Sequence, residues 1–152
     1  MTGVQTCALP ISYEALTGHL VQMVGFCQHD TLAVGCSPDG FVGASGLVEI
    51  KCPRAAKHVA WMRAGVVPKE HMPQLLHQAW VTGRMWVDFV SYNADLPDAL
   101  RLYRITYHPS DKELADYDAA ARAFLAEVDA EEQALHTMAN PSQVMATVAG
   151  RQ

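Results

Sequence analysis

The chain has 152 residues, half of them apolar, which is enough for one domain with a buried core. No apolar run approaches the about 18 residues that a membrane-spanning helix needs. The formal net charge of −5 by itself argues against a protein that binds nucleic acid.

The positive charge is concentrated between Lys51 and Arg84. This stretch carries six basic residues against one acid, Glu70, so its formal charge is +5 while the rest of the chain carries −10. Such a basic stretch is typical of a surface that contacts phosphate groups. The alternative is an ordinary solvated helix face.

The first segment, Met1 to Ile11, fits no helix or strand pattern. It is similar to the translation of a common sequencing-adapter oligonucleotide, so we interpret residues 1–11 as an artefact and expect the native sequence to begin near Ser12. The alternative is a natural disordered N-terminus. From Ser12 the sequence predicts the end of a helix that closes on Gly18.

Short strands are predicted next. His19 to Phe26 and Thr31 to Gly35 have the composition of two strands around a turn at residues 28–30, and a third strand is expected within Phe41 to Gly43.

The cysteines at positions 27, 36 and 52 have no C-x-x-C spacing, which argues against a zinc ribbon or a four-cysteine iron–sulfur site. Unpaired thiols suit a reducing cytoplasm.

The segment from Cys36 to Pro53 reads CSPDGFVGASGLVEIKCP and holds the most informative residues. Pro38-Asp39-Gly40 predicts a turn, and a strand is expected over Leu47 to Lys51. Because side chains alternate along a strand, Glu49 and Lys51 share one face about 7 Å apart, and Ile50 points to the other.

Two carboxylates and an ammonium that converge on one spot are what hydrolysis of a phosphodiester with Mg²⁺ requires. Asp39 and Glu49 supply hard oxygen ligands, together with the backbone carbonyl of Ile50, and Mn²⁺ is expected to substitute. Lys51 would activate or position the attacking water. Arg54 and Lys57, which follow directly, are predicted to contact DNA.

Helices are predicted over Arg54 to Ala64 and Glu70 to Thr82, with Gly65 and Gly83 after their ends. The second has an apolar face and a polar stripe of His71, Gln74 and Gln78. A polar stripe of this kind either faces solvent or contacts something specific.

The last part of the chain predicts a central strand over Met85 to Tyr92 and a further strand over Leu100 to Tyr107. Asp88 interrupts the first, and we expect it to make a structural hydrogen bond and not to bind metal. Ser110 and Glu113 form a capping box that opens a long helix. Its apolar stripe, which includes Phe124 and Val128, is expected to face the core, and residues 136–152 are expected to fray.

The order Pro-Asp, then Glu-x-Lys, resembles the PD-(D/E)XK nuclease signature. The longer text SPDG, GLVEIKCP, HMPQ and WVTGR, in this order, resembles the lambda-exonuclease and YqaJ-type viral recombinase family over Tyr13 to Val128. The resemblance implies a restriction-endonuclease-like α/β domain over residues 12–135, with a mixed sheet flanked by helices. The N-terminal helices that carry the family's pocket for the DNA 5′-phosphate are then missing.

The resemblance further implies that Gln74 is the active-site glutamine and that Gln78 faces DNA one turn later. The predicted function is a Mg²⁺-dependent exonuclease that digests linear double-stranded DNA from 5′ ends during phage-type recombination. Implied partners are DNA ends, a single-strand annealing protein and two further copies in a homotrimer, in the cytoplasm of a bacterial or phage-infected cell, with no membrane association.

Two alternatives remain open from the sequence. One is a DNA-end-binding module with the same fold that does not cut. The other is an α/β domain whose Glu49 and Lys51 form an ordinary surface ion pair, which contributes under about 1 kcal/mol.

Overall fold

A computed structural model describes the backbone of residues 5–139 and the side chains of residues 10–139. The chain divides into two compact units, Met1–Leu114 and Ala115–Gln152. The first unit contains the β-sheet and three helices, and the second contains most of the last helix.

The elements follow one another along the chain as follows: α1 (Gln5–Thr17), β1 (Val21–Gln22), β2 (Cys27–Gln28), β3 (Gly35–Cys36), β4 (Gly40–Val42), β5 (Gly46–Lys51), α2 (Ala55–Ala64), α3 (Met72–Thr82), β6 (Trp86–Tyr92), a 3₁₀ turn (Asp98–Leu100), β7 (Leu102–Tyr107) and α4 (Asp111–Ala139).

Five strands form one mixed sheet in the order β1-β4-β5-β6-β7, and β2 pairs with β3 in a separate two-stranded sheet. Strands β5 and β6 are parallel, because α2 and α3 connect them, while the other pairs in the large sheet are antiparallel. The predicted α/β class with a mixed sheet flanked by helices is confirmed. The strand β5, which carries Glu49 and Lys51, lies at the centre of the sheet.

Alternation along β5 divides the core between the two faces of the sheet. Leu47 packs with Trp61 of α2 and Leu75 of α3 in one apolar cluster. Val48 packs with Tyr13 of α1 in the other cluster, against which Ile50 also packs. Helices α2 and α3 therefore cover the face to which Glu49 belongs, and α1 covers the opposite face.

Helix ends lie where the glycines predict them. Gly65 and Gly83 follow α2 and α3 with φ of 66° and 64°, in the left-handed region that side chains with a Cβ disfavour. Gly18 closes α1 in the same way, with φ of 71°. The capping box is also confirmed, because the amide of Glu113 donates to Ser110 Oγ and the amide of Ser110 donates to Glu113 Oε2.

Asp88 is fully buried and makes structural hydrogen bonds, as predicted. The Tyr13 hydroxyl donates to its Oδ2 at 2.6 Å, the Thr106 hydroxyl donates to its Oδ1 at 2.5 Å, and Arg104 forms an ion pair with it at 3.1 Å. Burial and the neighbouring Asp88 carboxylate raise the pKa of Tyr13, which keeps this hydroxyl a donor. The network joins α1 to β6 and β7.

Several predicted elements differ from the structure. The two strands expected between His19 and Gly35 are replaced by three two-residue strands, and only Val21–Gln22 of the first range joins the large sheet. Helix α1 begins at Gln5, so the backbone before Ser12 is helical where no element was expected. The origin of residues 1–11 stays a prediction.

The second unit also differs from the expectation. No residue of α4 is buried, and Phe124 and Val128 of the predicted core stripe are exposed. The helix continues to Ala139, beyond the expected start of fraying, and residues 140–152 lie outside the described range. The three cysteines in the described region are free. Among the helices within residues 5–139, none is both long enough and apolar enough to span a membrane.

Replacing Tyr13 by Phe tests the Asp88 network. The variant loses a buried hydrogen bond to a charged acceptor, so we expect the free energy of unfolding to fall by about 1.5–3 kcal/mol in urea denaturation. Tyr103→Phe is the matched control, because among the described residues the buried Tyr103 hydroxyl has no hydrogen-bond partner. Equal stability losses in both variants would contradict this account of the network.

Candidate active site

Glu49 and Lys51 lie side by side on β5, as alternation predicts. Glu49 is 4 % exposed, and the Lys51 ammonium donates to its Oε1 at 2.5 Å. A carboxylate is buried here because β4 and β6 flank β5 in the sheet and α3 covers this face. A charge in such a position needs nearby positive charge and hydrogen-bond donors.

Asp39 lies immediately before β4 and is held against β5 by the backbone. Its Oδ2 accepts a hydrogen bond from the amide of Ile50 at 2.6 Å. Gly40 pairs with Val48 in the β4–β5 ladder, so the Asp39 carboxylate continues that ladder by one more bond. The structure thus brings Asp39 and Glu49 together across two neighbouring strands, although ten positions in the sequence separate them.

Two members of the predicted polar stripe, Gln74 and Gln78, face this carboxylate. Gln74 Nε2 donates to Glu49 Oε1 at 2.8 Å, and Gln78 Nε2 donates to Glu49 Oε2 at 2.6 Å. Residues four apart on a helix lie one above the other, so the two amides reach both oxygens of one side chain.

Gln78 is 2 % exposed, and its amide is bonded to Glu49. The contact of Gln78 with DNA stays a prediction, and it would require this amide to leave the carboxylate. The spacing correctly predicted that Gln74 and Gln78 share a face. It could not predict which way α3 is rotated, and only a search for buried partners of Glu49 would have found this contact.

The surroundings of Asp39 disfavour its charged form. Burial raises the pKa of this carboxyl group, the bond from the Ile50 amide lowers it, the Glu49 charge raises it and Lys51 lowers it, with a net increase. A cation between Asp39 and Glu49 would remove this penalty, because it would offset both negative charges.

The donor set suits Mg²⁺ better than a fully protein-coordinated metal. Within residues 10–139, no group of three or more His, Cys, Asp or Glu side chains could hold a metal ion. Mg²⁺ keeps several waters and commonly takes one or two carboxylates. Asp39 and Glu49 meet that requirement, and the carbonyl of Ile50 stays a predicted third ligand.

A cavity of about 520 Å³ opens beside Lys51, and three basic residues are among those that line it. Arg54 is exposed at this cavity, while Lys57 forms an ion pair with Glu70 at 3.3 Å and lies over the Trp61 ring. The lining residues are Lys51, Cys52, Pro53, Arg54, Ala56, Lys57, Trp61 and His71. The DNA contacts of Arg54 and Lys57 stay predictions, and this position is compatible with them.

His71 and Arg84 have structural contacts that the sequence did not indicate. The His71 ring packs against Trp61 and Phe89 in the core, and burial lowers the pKa of its imidazole. Arg84 donates to the carbonyls of Gly43 and Gly46. Part of the basic stretch thus supports the β4–β5 turn.

The chain is similar to known proteins in both sequence and structure. Residues 10–85 match the model of the YqaJ-like viral recombinase domain. The structure is similar to that of an alkaline exonuclease, LHK-Exo, from Laribacter hongkongensis, with a TM-score of 0.84 and 37 % identity over 91 % of this chain and 73 % of that one.

The structure of LHK-Exo in complex with dAMP gives a TM-score of 0.83 and 37 % identity, over 91 % of this chain and 72 % of that one. A comparison with proteins of curated function gives no match. The match to the family model and the likeness to LHK-Exo in both sequence and structure confirm the predicted resemblance. The chain belongs to the family of YqaJ-like viral recombinase domains.

Proposed function

We propose that this protein is a Mg²⁺-dependent exonuclease that digests linear double-stranded DNA from 5′ ends. The observation that carries the proposal is the convergence of Asp39, Glu49 and Lys51 at the central strand, next to a basic cavity. Family membership and the likeness to an alkaline exonuclease support nuclease chemistry at this site.

The arrangement differs from an ordinary surface ion pair. Glu49 is almost fully buried and has three side-chain donors, Lys51, Gln74 and Gln78. Exposed pairs on strands have no such set of partners and contribute little to stability. A buried carboxylate with this much support is better explained by a role in the site than by surface solvation.

The residues have separate roles in the proposed reaction. Asp39 and Glu49 hold Mg²⁺, which when bound lowers the pKa of a water ligand and offsets charge on the phosphate. Lys51 orients the attacking water or neutralises the charge that develops on the phosphate. Gln74 hydrogen-bonds the scissile strand, and Arg54 and Lys57 bind phosphates along the cavity.

The order Pro38-Asp39, then Glu49 and Lys51, supports assignment to the PD-(D/E)XK nucleases. We further propose a role in phage-type recombination in the cytoplasm, with a single-strand annealing protein as partner and a homotrimer as the working assembly. These proposals rest on the family alone. Co-purification tests the annealing partner, and measurement of the solution mass tests the homotrimer.

Lys51→Ala should abolish digestion of 5′-phosphorylated linear duplex in Mg²⁺, and closed circular duplex should stay intact with either protein. Loss of a group that acts on the water or the phosphate costs about 10²–10⁴-fold in rate. The exposed Lys69 provides the control, since Lys69→Ala should cut at the wild-type rate. Full turnover by the Lys51→Ala protein would contradict the proposed role of Lys51. Wild-type protein that binds DNA ends without cutting them would favour the alternative, a DNA-end-binding module that has this fold but no nuclease activity.

Asp39→Asn should stabilise the metal-free protein at pH 7–8. Because the folded-state pKa of Asp39 is raised, the native state binds its proton more tightly, so the wild-type protein loses stability as the pH rises above 3.8, the ordinary pKa of an aspartate side chain. The variant lacks this loss, and its midpoint of thermal unfolding without metal should exceed that of the wild type.

A bound metal ion should make the wild-type protein more stable than the Asp39→Asn protein. Mn²⁺ at about 100 times its Kd should stabilise the wild type by about 2.7 kcal/mol and the Asp39→Asn protein far less. Identical responses to Mn²⁺ in the two proteins would show that Asp39 does not hold the ion.

Arg54→Ala should weaken binding of duplex DNA and reduce the slope of log K against log salt by about 0.9, the contribution of one phosphate contact. Fluorescence anisotropy in Ca²⁺ over a salt series measures the slope. Arg63→Ala is the control, because Arg63 is exposed on α2, the helix that follows Arg54, but does not line the cavity. Equal slopes for Arg54→Ala and wild type would show that Arg54 does not contact a DNA phosphate.

A further inference from the structure

The two oxygens of the Glu49 carboxylate have different kinds of partner. Oε1 accepts from Lys51 and from Gln74, at 2.5 and 2.8 Å. Oε2 accepts from Gln78 at 2.6 Å, and no other donor to it is recorded among the described residues. The carboxylate is therefore held on one side by a cation and an amide, and on the other by a single amide.

The partners also differ in burial. Gln78 is 2 % exposed, whereas the Lys51 side chain is 26 % exposed and Gln74 is half-buried. Lys51 also lines the open cavity beside the site. Lys51 and Gln74 thus reach Oε1 from the side that solvent and substrate can enter, while Gln78 reaches Oε2 from inside the core.

The rest of the Gln78 side chain points to a ligand. Its carbonyl Oε1 is buried, and within the described residues it has no hydrogen-bond partner. Rotating the amide would satisfy nothing, because the carbonyl would then face the Glu49 carboxylate and both are acceptors. A buried acceptor is normally paired with a protein donor or an ordered water molecule, so this carbonyl requires a donor such as water.

We propose that Gln78 is the positioning residue that fixes Glu49 for a divalent cation. Gln78 keeps Oε2 and so sets the rotation of the carboxylate, while Oε1 is the oxygen from which a bound cation would displace Lys51 and Gln74. The inference rests on the proposed function, and it assigns different tasks to two glutamines one turn apart.

The same substitution at both positions tests this division. Gln78→Met keeps the length of the side chain and removes both hydrogen-bonding groups, so the Kd for Mn²⁺ should rise about 10- to 100-fold, as for other groups that orient a metal ligand. Gln74→Met removes a competitor for Oε1, so its Kd for Mn²⁺ should be unchanged or lower, while kcat on linear duplex falls. Free Mn²⁺ is measured by electron paramagnetic resonance on the full chain without DNA.

A double-variant cycle separates positioning from a general effect on packing. If Gln78 acts through Glu49, Gln78→Met should raise the Kd for Mn²⁺ no further in a Glu49→Gln background. Thermal unfolding without metal checks that each protein is folded. Should Gln78→Met fail to fold, Gln78→Asn replaces it, because the amide is retained but is one methylene too short for the bond to Glu49, and the same rise is expected.

The outcomes distinguish this inference from the proposed function. Wild-type protein that binds no Mn²⁺ would overturn both. Wild-type binding that Gln78→Met and Gln78→Asn leave unchanged would overturn the positioning role alone, and so would equal losses for Gln78→Met and Gln74→Met. A weaker Mn²⁺ affinity confined to the Gln78 variants supports the inference.

Discussion

The burial of the Glu49 carboxylate is the constraint on which the site depends. A charged group in the centre of a sheet is costly unless donors surround it, and here the donors come from two elements, Lys51 on β5 itself and the amides of Gln74 and Gln78 on α3. Because α3 supplies two of the three, its placement over this face is linked to the chemistry of the site. The apolar contacts of Leu75 and Ala79 with Leu47 hold the same helix in the same place.

Neighbouring strands thus contain two buried carboxylates with different environments. Asp88 on β6 lies on the face covered by α1, where Tyr13, Thr106 and Arg104 bind both of its oxygens. Glu49 on β5 lies on the other face, where a lysine with a mostly buried side chain is one of its partners. The first arrangement joins three elements of the fold, whereas in the second the lysine partner also lines a cavity. One sheet thus carries a structural acid on one face and a candidate functional acid on the other.

The charge distribution becomes interpretable once the fold is known. The six basic residues of the stretch from Lys51 to Arg84 have different positions. Lys51, Arg54 and Lys57 line the cavity, Arg84 supports a turn of the backbone, and Arg63 and Lys69 are exposed outside the cavity lining. Burial and the neighbouring Glu49 charge raise the pKa of the Asp39 carboxyl group, and a bound cation would offset this cost.

The sequence by itself determined what depends on local geometry. Strand alternation placed Glu49 and Lys51 together, glycines ended α2 and α3, the capping box began α4, and the order of motifs identified the family. Tertiary structure decided the rest. Strands of two residues leave almost no periodicity to detect, so β1, β2 and β3 could not be located from composition. Helical spacing placed Gln74 and Gln78 on one face, but whether that face met solvent or a buried carboxylate depended on how α3 packs against β5, because the rotation of a helix is fixed by contacts with residues distant in the chain.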